Sequence, residues 1–252
     1  MKKLPSKFKK EFVKEKKMFT SEDVKKVNFS KKNGKDILIG RGFVGNVLVG
    51  RVIFKNNTVK RVAIKRFNFP FSDTFAVNYK KVITDLQSIK LRSGKPLIPK
   101  MDLVKIKTKE NPDGEWVQIT QLFGSTKKGS KFKTNFEGFN FSKETIDEVA
   151  EIISKLNQKG YTSGDLFATF KKKEGVIVLD LDEFARSVGY FKKPTPYDIL
   201  PAIKGVVYRY GPEHENTLMR DIYNACQKYF KKETWDKIER YRQKTYISEY
   251  KW

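Results

Sequence analysis

The chain has 252 residues, 38% of them hydrophobic, enough for one sizeable core or two modest lobes and too many for a wholly disordered chain. Its net charge of +24 favours acidic partners such as nucleic acid, nucleotides or acidic proteins. A lone cysteine, Cys226, rules out an intramolecular disulfide and reads as core packing; with a lone histidine, His214, it argues against a zinc site or a Cys/His nucleophile pair, so any metal would be held by oxygen.

Residues 1–35 hold thirteen lysines against Glu11, Glu15, Glu22 and Asp23, and read as a basic extension. No apolar stretch of signal-peptide length follows the basic start, and nowhere do eighteen apolar residues run together. A cytoplasmic protein without a membrane partner is therefore expected. From Ile37 short β-branched runs alternate with glycine and with the turn "KNNT" at 55–58, the pattern of an antiparallel sheet. Residues 76–92 place Tyr79, Val82, Leu86 and Ile89 three or four apart, which predicts an amphipathic helix. Strands return at "LVKIKTK" and "WVQITQLF", on either side of the turn "NPDG" at 111–114.

Beyond Gly124 the text is mostly helical. Ser142 is an expected N-cap, Glu144 suits a first turn, and Ile146, Val149, Ile152 and Leu156 form a stripe ending before Gly160. An apolar run "GVIVLDLD" at 175–182 and a proline-rich patch at 194–201 follow. Two further helices are expected near 214–230 and 233–245. The predicted class is α+β, with a sheet lobe over 36–123 and a helical lobe over 124–252.

The stretch "IGRGFVGNVLVGRVIF" contains G-x-G-x-x-G at Gly40, Gly42 and Gly45. In a dinucleotide-binding unit the last glycine opens a helix, but here Gly45 leads into valine-rich β text. The other site with this spacing is a hairpin whose glycine turn covers the phosphates of ATP and whose next strand carries a lysine. "VAIK" at 62–65 supplies Lys65, and Val47 stands two residues after Gly45. On these residues the sequence resembles the protein-kinase superfamily. The resemblance implies a two-lobed fold, Val47 and Ala63 around the adenine, and Lys65 on the α- and β-phosphates. It also implies a hinge at Gln121, Leu122 and Phe123, with Ile119 limiting the back of the pocket.

A kinase also holds that lysine with an acid on the following helix, and Asp85 stands twenty residues after Lys65. "LNQKGYTSGDLF" at 156–167 is similar to the catalytic loop of compact kinases, which makes Asp165 the catalytic aspartate. "VIVLDLDEFA" is similar to the metal-binding strand of small-molecule and atypical kinases, with Asp180 on magnesium or manganese. Two positions depart from the pattern: Ser163 replaces a histidine, and Phe170 replaces an asparagine that supplies a second metal ligand. Thr169 or Asp182 would substitute, or one metal would serve. Asp198 resembles the aspartate that starts the central helix of the second lobe.

The short text after Asp180 is similar to the RIO kinases, the small archaeal kinase of the KEOPS assembly, and the lipopolysaccharide kinases. The resemblance implies an ATP-dependent Ser/Thr protein kinase. Two alternatives stay open: a pseudokinase or ATP-dependent binding module on RNA or ribonucleoprotein, and a small-molecule kinase. The lysines and aromatics interleaved at both termini suit RNA phosphates and bases, or pack onto the lobes.

Overall fold

The structure, a computed structural model, describes residues 23–41, 44–69, 72–108, 111–121, 141–161, 195–210 and 215–244. It is a mixed α/β fold built from an antiparallel sheet and, among the described residues, five α-helices. Two compact units are present, one drawn from Met1–Phe71 and Lys100–Phe123, the other from Ser72–Pro99 and Gly124–Trp252.

The sheet unit contains strands β1 (Val24–Phe29), β2 (Lys31–Lys32), β3 (Lys35–Asp36), β4 (Leu38–Arg41), β5 (Gly45–Phe54), β6 (Val59–Phe67), β7 (Met101–Ile106) and β8 (Glu115–Gln121). Its order is β1-β5-β6-β8-β7, and β4 also pairs with β5. The two expected turns close the hairpins. Asn57 takes a left-handed φ of 62° between β5 and β6, and Gly114 takes 95° before β8, conformations that asparagine and glycine adopt at least cost.

Because side chains alternate across a strand, the register divides the sheet into two faces. One face carries Val52, Phe54, Val62, Ile64, Val104, Ile106, Val117 and Ile119, a single buried cluster against which Val24, Val27 and Phe29 pack. Full burial of each such side chain favours the fold by about 1.5–3 kcal/mol over exposure. The opposite face carries Val47, Val49, Ala63, Lys65, Gln118, Thr120, Met101 and Leu103.

The sheet starts earlier than the composition indicates. Residues 24–29 fall within the lysine-rich stretch read as an extension, yet they form β1 and pair with Phe54 back to Gly50 of β5. β4 continues along the same edge, Leu38 opposite Leu48 and Arg41 opposite Asn46. Between them β2 and β3 form a small two-stranded finger, closed at its base by Ile37 N–H donating to Ser30 O at 2.9 Å.

The helical unit contains α1 (Asp73–Ser88), α2 (Lys143–Gln158), α3 (Ile199–Tyr210), α4 (Glu215–Cys226) and α5 (Lys232–Lys244), with 3-10 turns at Pro196–Asp198 and Gln227–Tyr229. Helix α1, which the sequence places within 36–123, groups with this unit. It starts at Ser72, whose hydroxyl accepts from Phe75 N–H at 3.1 Å, and buries Ala76, Tyr79, Val82, Ile83 and Leu86. Helix α2 starts at Ser142, which accepts from Thr145 N–H at 3.3 Å, and Gly160 with φ 82° follows its end. Its buried stripe includes Val149, Ile152, Ile153 and Leu156 and packs on α4 and α3. The Cys226 thiol lies 3.7 Å from Ala150 O, and complete burial pushes its pKa up to about 12, so it is an inert core group. No described helix is long and apolar enough to cross a membrane.

Candidate functional site

The motif residues in the sheet converge on one face. Gly40 lies opposite Val47, Val47 opposite Lys65, and Lys65 opposite Gln118, so the four form a row across β4, β5, β6 and β8. In the next row on that face Val49 lies opposite Ala63, and Ala63 opposite Thr120. Val47, Ala63 and Lys65 are half-buried, while Val49, Gln118, Thr120, Met101 and Leu103 are buried. The face thus combines two accessible apolar side chains with a cation. The Lys65 ammonium lies 5.8 Å from the centre of the Phe67 ring, which is favourable cation–π geometry.

Gly45 has a structural explanation. A Cβ there would lie 2.3 Å from Arg66 O and 3.2 Å from the Cα of Phe67, so only glycine lets β5 approach the end of β6. Gly40 is different, because a Cβ would sit 3.6 Å from the Cβ of Val47, an ordinary contact. Gly42 lies outside the described residues.

One site residue named from the sequence is placed elsewhere. Ile119 faces the apolar cluster on the other side of the sheet, fully buried between Val62, Ile64 and their neighbours, so it does not line the face that carries Lys65. Thr120 holds that position instead. Its hydroxyl accepts from Gln118 Nε2 at 3.0 Å, and the same amide lies 3.5 Å from Met101 Sδ. Alternation alone would have found both, since Thr120 and Gln118 are the residues opposite Ala63 and Lys65. The Gln121 N–H donates to Lys100 O at 3.0 Å, which commits it within the sheet. Leu122 and Phe123 lie outside the described residues.

In the helical unit Asp85, on the exposed side of α1, accepts a hydrogen bond from Tyr161 Oη at 3.0 Å. Burial first, and that bond second, push the Tyr161 hydroxyl up to about 12, so it stays protonated and donating. Lys65 belongs to the sheet unit and Asp85 to the helical unit. Asp198 lies at the end of the 3-10 turn that precedes α3. Its carboxylate accepts from Thr195 N–H at 2.5 Å and Thr195 Oγ1 at 3.0 Å, and Asn157 Nδ2 donates to Thr195 O at 2.9 Å. Asp165, Thr169, Asp180 and Asp182, with Ser163 and Phe170, lie outside the described residues.

A buried carboxylate fixes the approach to α2. Glu151, 5% exposed, accepts from Arg92 N–H at 2.7 Å and pairs with Lys155 at 3.1 Å. Beside it Lys95 pairs with Glu148 at 3.0 Å, and the Arg92 guanidinium stacks 4.6 Å from the Tyr229 ring. These contacts hold the segment after α1 against α2.

No protein-family model matches the chain, and no curated protein matches it.

Proposed function

We propose that the chain is an ATP-dependent phosphotransferase, a small atypical Ser/Thr protein kinase whose sheet unit and helical unit act as its two lobes. One observation carries the reading. "VAIK" occupies the strand that follows the glycine-turn hairpin, and the register brings Lys65, Ala63 and Val47 to the same face. That is the structural context which separates this motif from a chance glycine triad.

In this reading Val47 and Ala63 pack on the adenine, Thr120 bounds the pocket behind Ala63, and Lys65 binds the α- and β-phosphates. These residues suit ATP because they set a compact cation beside small apolar side chains on a rigid strand. Magnesium or manganese, held by Asp180 with Thr169 or Asp182, would neutralise charge on the phosphates. Asp165 would orient the acceptor hydroxyl and take its proton as the oxygen bonds to the γ-phosphorus and the bond to ADP breaks.

A second reading, a nucleotide-binding module that transfers nothing, is favoured by Ser163 and Phe170, which replace two residues of the catalytic pattern. One experiment separates the two. Transfer of labelled γ-phosphate is measured with magnesium and with manganese on wild type, Lys65→Met, Asp165→Asn and Asp180→Ala, offering the protein itself and an unstructured acceptor protein. Label incorporated by wild type and lost in all three variants at unchanged melting temperature supports the kinase. No label, with ATP still raising the melting temperature of wild type but not of Lys65→Met, supports the binding module. No label and no stabilisation by ATP refutes both.

A further inference from the structure

A cleft of about 420 Å³ lies between α4, the 3-10 turn that follows it, and α5, wholly within the helical unit. That is the size of a small-ligand pocket. Its buried lining is fixed by packing. Tyr223, 3% exposed, and Trp235, 7% exposed, lie with ring centres 4.6 Å apart, and Phe230 lies 6.0 Å from Trp235. The Tyr223 hydroxyl donates to Glu239 Oε2 at 2.5 Å, and Arg242 donates to both carboxylate oxygens, at 2.6 Å and 3.0 Å. With Gln243 Nε2 also donating at 2.9 Å, the Glu239 carboxylate is fully occupied. It frames the cleft and is not left to receive a ligand.

The rest of the lining keeps unused hydrogen-bonding capacity. The Trp235 indole N–H has no acceptor among the described residues, although a buried tryptophan usually finds one. The Asn224 and Gln227 amides and the Asp236 carboxylate, all exposed, likewise have no partner among the described residues. Arg220 reaches only its neighbour Asp221, at 4.0 Å. These groups are ordered along the cleft. Gln227 stands in the turn that leads to α5 and Asp236 in the second turn of that helix, whereas Arg220 precedes Gln227 by seven residues, about 10 Å of helix. A carboxylate therefore marks the end near the junction, and a guanidinium the far end.

We propose that the α4–α5 cleft binds an extended peptide segment, with a basic side chain at Asp236, an acidic side chain three residues away at Arg220, and a backbone carbonyl on the Trp235 indole N–H. Asn224 and Gln227, three residues apart and so on one helix face, each offer a donor and an acceptor. A peptide backbone repeats that same pair of groups. An extended chain advances about 3.3 Å per residue, so three residues cover the distance between the two charged ends. A free amino acid does not, because one carbon separates its ammonium from its carboxylate. The cleft is independent of phosphate transfer at Lys65, and its occupant does not rest on that reading.

The test is titration of the full chain with the blocked peptide acetyl-Lys-Ala-Ala-Glu-amide, followed at the Trp235 indole N–H resonance, which Trp235→Phe assigns by removing it. A saturable shift of that resonance is expected. Asp236→Asn should weaken binding about 2- to 5-fold, the size of an exposed ion pair, yet have little effect on acetyl-Gln-Ala-Ala-Glu-amide. Arg220→Gln should do the same, with little effect on acetyl-Lys-Ala-Ala-Gln-amide. Trp235→Phe, read by calorimetry, should lose about 2- to 10-fold through one hydrogen bond. Lys237→Gln, on α5 but outside the cleft lining, should bind as wild type does. Acetyl-Lys-Glu-Ala-Ala-amide, with its charges adjacent, should bind no tighter than the singly charged peptides. Asp236 and Arg220 are exposed, so their variants keep the fold and the test stands even if Trp235→Phe does not fold. No saturable shift, or equal effects of the two charge variants on the matched neutralised peptides, overturns the proposal. So does an equal shift of the Trp235 resonance with sodium acetate or with a single-stranded RNA oligonucleotide, which would assign the cleft to a small anion or to nucleic acid.

Discussion

Replacing Gly45 by alanine tests whether the glycine triad is explained by sheet packing at its last position. The added Cβ would stand 2.3 Å from Arg66 O, where ordinary contact begins at 3.4 Å, so β5 and β6 must part by about 1 Å or one of them must rotate. That movement strains the pairing of Gly45 with Phe67 and the neighbouring bond from Asn68 N–H to Val44 O. Overpacking of this kind costs about 1–3 kcal/mol. At roughly 2–4 °C per kcal/mol for a chain of this size, the melting temperature should fall by several degrees. Gly40→Ala is the matched comparison, because its Cβ meets Val47 at 3.6 Å and its backbone needs no left-handed φ. Loss of glycine flexibility in the unfolded chain should leave that variant unchanged or more stable by about 0.4–1 kcal/mol. Thermal melts followed by circular dichroism, with a urea titration to confirm the order, decide it. If Gly45→Ala melts with wild type while Gly40→Ala melts lower, the packing argument is wrong and the weight shifts to the turn itself.

Three further outcomes are expected. Ile119→Ala should destabilise the sheet by about 2–5 kcal/mol through the cavity it leaves, while Thr120→Ala should act mainly on nucleotide affinity; urea midpoints and an ATP titration on both variants check this, and a weak effect of Ile119→Ala on stability would contradict its placement. Glu151→Ala should cost about 1–3 kcal/mol, because it removes the buried carboxylate that accepts from Arg92 N–H and pairs with Lys155; Glu151→Gln, which keeps an oxygen for the N–H, should cost less in the same denaturation assay. The Glu239 carboxylate is held down to about 2 by Arg242 first and also by Tyr223 and Gln243. A carboxylate depressed in the folded state favours folding above its ordinary pKa of 4.5, and that stability is lost as pH falls from about 4.5 through about 2. Glu239→Gln should therefore lose stability at pH 7 and flatten this acid limb of a melting-temperature profile; an unaltered acid limb would count against the assignment.

Local signals were legible where a short motif settles its own geometry. Ser142 and Gly160 bracket α2 because a cap and a left-handed terminus each need only their immediate neighbours, and Asn57 and Gly114 mark their turns for the same reason. β1 was hidden by a register shift. The irregularity between Val24 and Lys26 sets its inward side chains Val24 and Val27 three apart, so the period of two is broken and lysine dominates the composition. Ile119 was misplaced because which side chains face Lys65 is a property of strand pairing; within β8 the alternation of Val117 and Ile119 with Gln118 and Thr120 was the signal that separates the two faces.

That distinction also reweights the motif on which the proposed function rests. Three glycines spaced G-x-G-x-x-G look like one signal, yet Gly45 is required by the close approach of β6 whatever binds there, and Gly40 could carry a Cβ without a clash. Glycine spacing alone therefore says little about phosphate. The coincidence that packing does not require is a different one: a lysine, an alanine and a valine, on two strands and eighteen residues apart at the ends, brought by register to adjacent positions on one face. A half-buried lysine there, unlike a valine, must keep its ammonium solvated or partnered. That juxtaposition of a cation with two small apolar side chains, rather than the glycine spacing, is the reason to test ATP at this face first.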